Sequence, residues 1–121
     1  MTDTKFIRAI PVLPSTDVPA TLAFFRDKLG FETWSWDTPP IYGGVHVGTV
    51  EIQISLTDNP HACRWASCRV DVTGIDALYA RAVEQGVVHP NSKLEEQPWG
   101  FREFAVLDPV GLCVTFGERT G

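Results

Sequence analysis

Two halves of the chain repeat equivalent positions at a spacing of 56 residues. The repeated positions are an apolar helix residue, the glycine after the helix and the apolar residue that follows it, in the pairs Leu22 and Leu78, Gly30 and Gly86, and Phe31 and Val87. Such a repeat predicts two copies of one supersecondary unit, because each copy must bury equivalent apolar positions. At 121 residues the chain is long enough for one sizeable core. We therefore interpret residues 1–121 as a single domain of two modules, at about 5–57 and 64–118.

The first module is predicted to contain a strand, a helix and three further strands. The first strand lies in KFIRAIPVLP, where Pro11 indicates an edge or a bend. The helix lies in STDVPATLAFFRDKLG, with Asp17 as the expected N-cap, Pro19 in the first turn and Gly30 as the C-cap. The remaining strands are expected in FETWSW, IYGGVHV and VEIQISL.

The second module is predicted to follow the same order. Its elements are expected in RWASCRVDV, in a helix within GIDALYARAVEQG, in a short strand near Leu94, and in FREFAVL and LCVTFGE. The last two strands flank Asp108-Pro109-Val110-Gly111, which has the proline and glycine preferences of a type I turn. Both modules are therefore βαβββ units. The sequence predicts an α+β fold of tandem βαβββ modules, with a helix covering one face of each sheet.

The face of each sheet without a helix is predicted to mix polar and aromatic side chains. In VEIQISL, the residues Glu51, Gln53 and Ser55 alternate with apolar ones and so point away from the helix. We expect three aromatic residues on the same face, namely Trp34, Trp36 and Tyr42. Apolar walls with a few polar groups are typical of a small-molecule site, but dimer interfaces are also rich in aromatic residues. The pattern leaves both interpretations open.

Charge and cysteine content limit the partners and the compartment. Ten Lys and Arg residues against fifteen Asp and Glu give a net charge of −5, which argues against a nucleic-acid surface. We expect no membrane partner, because no apolar run approaches the ~20 residues of a membrane span and MTDTKFIRAI lacks the layout of a signal peptide. Three cysteines without CxxC spacing are typical of reduced thiols, so we expect a cytoplasmic protein.

The chain resembles the vicinal oxygen chelate (glyoxalase) superfamily, and within it the bleomycin-binding resistance proteins. The resemblance lies in IPVLPSTDVPATLAFFRDKLGF, GGVHVGTVEIQIS, VTGIDALYA and EQPWGFREFAVLDPVGLCVTF. It implies a homodimer that exchanges its N-terminal strand near Pro11, with two clefts between the subunits that each hold one drug molecule. The implied function is antibiotic resistance by binding and sequestering a bleomycin-type cationic glycopeptide, without catalysis and without a cofactor.

The same resemblance assigns roles to individual residues. In the family, the flat heteroaromatic tail of the drug lies between two aromatic rings, which correspond to Tyr42 and Trp99. Arg69 stands where the family has a tryptophan near the cleft, and its charge would repel a cationic ligand. The candidate ligand-binding residues are therefore Trp34, Trp36, Tyr42, Glu51, Ser55, Arg69, Trp99 and Gly100.

The alternative function is a metal-dependent glyoxalase-like or dioxygenase-like enzyme of the same superfamily. The resemblance places metal ligands on the first, fifth and eighth strands, where this chain offers Ala9 or Ile10, Ser67 and Thr115. None of these is a strong ligand for a divalent transition metal, and the histidines form no HxH or HExxH motif. We therefore expect no metal and no catalytic residues. A third interpretation is a scaffold dimer whose own side chains fill the cleft.

Overall fold

The computed structural model describes residues 3–121. Its two halves contain a helix and four strands in the same order. The first half contains β1 (Val12–Ser15), α1 (Val18–Leu29), β2 (Glu32–Trp36), β3 (Tyr42–Val47) and β4 (Val50–Leu56). A connecting helix and the second half follow as α2 (Pro60–Trp65), β5 (Ser67–Asp71), α3 (Ile75–Glu84), β6 (Glu95–Glu96), β7 (Phe101–Leu107) and β8 (Cys113–Arg119). The predicted α+β fold of tandem βαβββ modules is confirmed.

Each half forms its own four-stranded sheet. The strand order is β1-β4-β3-β2 in the first sheet and β5-β8-β7-β6 in the second. In both sheets the first strand of the module pairs in parallel with the last, and the other neighbours are antiparallel. The sequence repeat is therefore also a repeat of strand order and direction.

Helices α1 and α3 pack against each other and against their own sheets. The core they enclose is one cluster of buried side chains that draws on both halves, including Phe25, Ile52, Ile75, Phe104 and Phe116. Because both helices lie on this inner side, the opposite face of each sheet has no helix over it. Among residues 3–121, no helix is both long enough and apolar enough to span a membrane.

Both predicted caps of α1 form. The carboxylate of Asp17 accepts a hydrogen bond from the backbone N–H of Ala20 at 3.1 Å. Gly30 ends the helix with φ +80°, a left-handed conformation that favours glycine, and its N–H donates to the carbonyl oxygen of Arg26. These caps satisfy end groups of the helix and determine where β2 begins.

The prediction that the first strand extends through KFIRAIPVLP is wrong for its first seven residues. Regular pairing starts at Val12, which lies opposite Gln53 of β4. Residues 5–10 belong to no strand, and the side chains of Phe6 and Ile7 are 85% and 83% exposed. A strand requires a neighbour to satisfy its backbone groups, and the described residues of this chain provide none for that segment.

The connection between the halves is also different from the prediction, which treated it as a linker and began the fifth strand at Arg64. Residues Pro60–Trp65 form α2, and Asn59 caps it by accepting a hydrogen bond from the N–H of His61 at 2.9 Å. The fifth strand therefore begins only at Ser67. A helix of six residues with one buried side chain, Cys63, has too few apolar positions to show helical periodicity.

Candidate functional site

The helix-free face of the first sheet carries the aromatic and polar residues predicted for it. The strand register pairs Trp34 with Gly44 and Trp36 with Tyr42, and it pairs Tyr42 with Ser55. Directly paired residues project on the same side of a sheet, so both tryptophans share one face with Tyr42. They differ in exposure, since Trp34 is 36% exposed and Trp36 is 64% exposed.

The indole of Trp34 packs against the backbone of Gly44. A Cβ atom at Gly44 would lie 2.5 Å from Nε1 of Trp34, closer than real Cβ contacts come. The indole also neighbours the ring of Tyr42, with 5.9 Å between the ring centroids and a tilt of 55°. The glycine therefore allows the two aromatic rings to form a continuous wall.

Tyr42 is held by a chain of polar groups on the same face. Its hydroxyl donates to Oε1 of Gln53, and Nε2 of Gln53 donates to Oε2 of Glu51 at 2.9 Å. The second oxygen of Glu51 lies 3.7 Å from the guanidinium of Arg8. Glu51 thus supports the tyrosine indirectly, in addition to facing the cleft described below.

Trp99 lies on a turn beside the second sheet, as the sequence predicts. The N–H of Gly100 donates to the carbonyl oxygen of Gln97 at 3.1 Å, and Gly100 adopts φ +85°. The indole is 59% exposed, and its Nε1–H donates to Oε2 of Glu103 at 3.0 Å. Trp99 is therefore fixed at its polar edge while much of its surface faces solvent.

Glu103 is a buried carboxylate on the helix-free side of β7. It is 7% exposed, and Nη2 of Arg69 lies 2.5 Å from the oxygen that Trp99 contacts. Burial by itself would raise the pKa of Glu103, but the hydrogen bonds from Arg69 and Trp99 and the positive charge of Arg69 lower it below its ordinary value. Glu103 is consequently ionised at neutral pH.

The neighbours of Arg69 compensate the positive charge of its guanidinium, which was expected to repel a cationic ligand. In addition to Glu103, the guanidinium lies over the ring of Phe101, 5.3 Å from its centroid. Arg119 lies over the same ring at 5.0 Å. Because Glu103 supplies a full negative charge at contact distance, the repulsion expected from Arg69 is reduced.

A cleft of about 460 Å³ brings two of the candidate residues together. Its walls are the N-terminal segment, the start of β4 and the end of β5, and it is lined by Arg8–Pro11, Thr49–Ile52 and Arg69–Asp71. Glu51 and Arg69 thus share one cavity. The other candidates do not line it, namely Trp34, Trp36, Tyr42, Ser55, Trp99 and Gly100.

Tyr42 and Trp99 are not brought together within one chain. Tyr42 belongs to the first sheet and contacts Trp34, whereas Trp99 lines a small pocket of about 180 Å³ beside the second sheet. Within residues 3–121, no ring–ring contact joins them. Among the described residues the two rings therefore form no direct pair and line no common pocket.

Metal ligands are not grouped in the described part of the chain. No set of three His, Cys, Asp or Glu residues between positions 3 and 121 is arranged to hold an ion. Each histidine has its own local partner: His46 lies 3.6 Å from Glu32, His61 contacts Arg64, and His89 accepts the N–H of Asn91.

Two functional residues escaped the sequence interpretation. Gly44 is the second glycine of a Gly-Gly pair within a strand, a pattern that indicates close approach of another group to the backbone. Glu103 alternates with Phe101 and Ala105 on one face of FREFAVL, four positions after Trp99. An acid on an otherwise apolar strand face is a signal for a buried ion pair, although its partner Arg69 is too distant in sequence to be recognised.

A sequence model of one protein family, described as glyoxalase superfamily protein, matches residues 1–121. The chain belongs to the glyoxalase superfamily. Relatives of this glyoxalase-superfamily protein include the bleomycin resistance proteins of Geobacillus stearothermophilus and Staphylococcus aureus. Each is 32% identical to it over 132 residues, an alignment that covers 93% of this chain and 97% of the relative.

Solved structures show the same fold. The bleomycin-binding protein from bleomycin-producing Streptomyces verticillus, complexed with copper(II)-bleomycin, has a TM-score of 0.81 and 36% identity over 93% of this chain and 96% of that one. The bleomycin resistance determinant encoded on the transposon Tn5 has a TM-score of 0.77 and 24% identity over 94% and 98% of the two chains. A glyoxalase-related enzyme from Clostridium phytofermentans also reaches 0.77 at 20% identity over 98% and 99%, so the fold alone does not decide between binding and catalysis.

Proposed function

We propose that this glyoxalase-superfamily protein binds and sequesters a bleomycin-type cationic glycopeptide antibiotic without altering it chemically, and thereby confers resistance. The observation that carries the proposal is a pair of aromatic rings on the helix-free faces, each held in place by a hydrogen bond from its own polar group. Tyr42 is held through Gln53, and Trp99 is held by Glu103. The resistance proteins and the drug complex described above support the same function.

Stacking, charge and burial of the flat tail together supply the free energy of binding. An aromatic pair contributes ~0.5–1.5 kcal/mol beyond the area it buries, and a cation over a ring contributes about 0.5–2 kcal/mol. A planar, cationic tail between two rings gains from both effects, and the net charge of −5 attracts it from a distance. A total of ~8 kcal/mol corresponds to a dissociation constant of about 1 μM.

We infer that the binding unit is a homodimer of two-module chains, with modules at about residues 5–57 and 64–118. In this dimer the segment before Pro11 exchanges the contacts it makes with its own chain, such as that of Arg8 with Glu51, for equivalent ones on the partner subunit. The exposure of Phe6 and Ile7 and the lack of a strand partner for residues 5–10 in the described chain support this exchange. It also brings the Tyr42 face of one chain opposite Trp99 of the other.

In the cleft between the two subunits of this dimer we assign complementary roles to the candidate residues. Tyr42 and Trp99 stack on the two sides of the flat tail, and Trp34 and Trp36 extend the aromatic wall. Glu51 attracts the cationic part of the ligand. Ser55 and Gly100 shape the site and offer polar contacts, and Arg69, paired with Glu103, forms part of its wall.

We place the protein in the cytoplasm. The three cysteines are free thiols, and none is paired with another. Unpaired thiols persist in reducing compartments, and an antibiotic that acts inside the cell is intercepted most directly there.

The test is a titration with bleomycin followed by tryptophan fluorescence. The wild-type protein should show saturable quenching at micromolar drug or below, and Trp99→Ala should weaken binding at least about tenfold. Trp65→Ala is the matched control, because Trp65 is 85% exposed on α2, away from both helix-free faces. A wild-type protein that gives neither quenching nor calorimetric heat at micromolar drug would exclude the function.

The non-catalytic part of the proposal has separate tests. Bleomycin recovered after prolonged incubation with the protein should have an unchanged mass. Elemental analysis of protein purified without chelators should find no stoichiometric divalent ion. A stoichiometric ion or a converted drug would instead favour the metal-dependent enzyme.

A further inference from the structure

We propose that Glu103 is the positioning residue of this site: it orients the indole of Trp99 and, by compensating Arg69, makes that wall of the cleft acceptable to a cationic ligand. The selectivity role rests on the proposed function, whereas the orienting role concerns the free protein. The family resemblance assigns no role to Glu103. Its effect on the ligand is indirect and acts through Trp99 and Arg69.

The geometry concentrates both roles on one oxygen atom. Oε2 of Glu103 accepts the indole N–H of Trp99 at 3.0 Å, and Nη2 of Arg69 lies 2.5 Å away from it. Glu103 is 7% exposed, so its carboxylate is held in place by the sheet and moves less than an exposed carboxylate would. A fixed acceptor of this kind defines the direction of the indole ring.

Trp99 needs such a support because little else restrains it. It occupies a turn, it is 59% exposed, and no other aromatic ring between residues 3 and 121 stacks on it. A ring that is already oriented loses less conformational entropy when a ligand stacks on it. Loss of the tether should therefore weaken binding even though the ring itself is still present.

The same carboxylate controls the charge of the wall. Arg69 and Arg119 both lie over Phe101, so this part of the second sheet carries two guanidinium groups. Glu103 is the acid in contact with Arg69, and without its charge the wall would present two uncompensated cations. Lys93 and Glu95, one residue of each charge, also line the pocket beside Trp99.

The binding test compares two variants. Each removes the carboxylate from one carboxylate–arginine ion pair of the second module. Glu103→Gln keeps the size and an acceptor oxygen but removes the charge, and we expect about tenfold weaker binding of bleomycin, with a larger loss at low salt. Asp76→Asn is the matched control, because Asp76 lies in the first turn of α3 and pairs with Arg102 at 2.9 Å, a different arginine from the partner of Glu103. Equal affinities in wild type and Glu103→Gln would overturn the selectivity role.

A second measurement needs no ligand. In an indole ¹H–¹⁵N spectrum the Trp99 signal is identified by its absence in Trp99→Phe. We expect this signal to shift and to exchange faster with water in Glu103→Leu, which removes the acceptor oxygen, but not in Asp76→Asn. An unchanged Trp99 signal in Glu103→Leu would overturn the orienting role. If the signal shifts but wild type does not bind bleomycin, the proposed function and the selectivity role are both rejected, while the orienting role stands.

Arg69→Gln keeps the proposal testable if Glu103→Gln does not fold. The side chain of Arg69 is 49% exposed, and its removal leaves the hydrogen bond between Trp99 and Glu103 intact. We expect this variant to bind bleomycin several-fold more tightly than wild type, because one cation is removed from the wall while the charge of Glu103 remains. Equal or weaker binding by Arg69→Gln would contradict the selectivity role.

Discussion

The hydroxyl of Thr21 donates a 2.6 Å hydrogen bond to Oδ2 of Asp108, and this contact joins residues that are 87 positions apart. Oδ1 of Asp108 accepts the backbone N–H groups of Val110 and Leu112, and the hydroxyl of Thr21 also contacts that of Ser15 at 2.8 Å. Ser15, Thr21 and Asp108 are all buried. The turn between β7 and β8 therefore also links the second module to α1 and β1 of the first.

Replacing Thr21 with valine should destabilise the protein by ~1–3 kcal/mol. Valine has nearly the same shape but cannot donate, so the buried carboxylate of Asp108 loses a partner. Urea unfolding followed by circular dichroism measures the change. Thr16→Val is the control, since Thr16 is exposed and its loss should alter the free energy of unfolding by less than about 0.5 kcal/mol. Equal unfolding midpoints for Thr21→Val and wild type would show that the link is not stabilising.

Gly44→Ala should displace the indole of Trp34 and weaken drug binding. The new Cβ would lie 2.5 Å from Nε1 of Trp34, so the ring must leave its place beside Tyr42. The measurement is a double-mutant cycle in the bleomycin titration, using Gly44→Ala, Trp34→Ala and the double variant. We expect Gly44→Ala to cost little once Trp34 is absent. Full additivity of the two losses would show that the glycine acts independently of Trp34.

The stability contributed by Glu103 should depend on pH. Its pKa in the folded protein lies below the ordinary value of 4.5, so the stabilisation is fully present above about pH 4.5 and is lost as the pH falls through the folded value. The difference in unfolding free energy between wild type and Glu103→Gln should therefore shrink from pH 7 to pH 3. Chemical denaturation at several pH values measures it. A difference independent of pH would contradict the ion pair with Arg69.

Cys68 should react slowly with alkylating reagents. Burial, reinforced by the neighbouring Cys113, raises the pKa of the Cys68 thiol to about 11. The nucleophilic thiolate is therefore scarce at pH 8, and the reaction rate should rise as the pH approaches that value. Mass spectrometry after timed exposure to iodoacetamide measures the modification. Urea-unfolded protein is the control and should react at the rate of an ordinary cysteine; an equally fast reaction in the folded protein would refute the prediction.

The sequence by itself determined the elements whose signals are local. Asp17 and Gly30 mark the ends of α1 because capping involves residues within one turn of the helix. The alternation in β4 and β7 predicted their bounds and their two faces, since side chains of a strand point to opposite sides in turn. That alternation is also why Trp34, Trp36 and Tyr42 could be placed on one face before the structure was known.

Only the tertiary structure decided the contacts that join distant parts of the chain. The pairing of Arg69 with Glu103, the bridge from Thr21 to Asp108 and the seat of Trp34 on Gly44 depend on strand register and on packing between the modules. Such contacts produce no periodic pattern in the sequence, because they depend on where the fold places the two residues and not on their spacing along the chain. For the same reason the strand predicted for residues 5–10 is not observed, since the described strands of the chain do not pair with that segment.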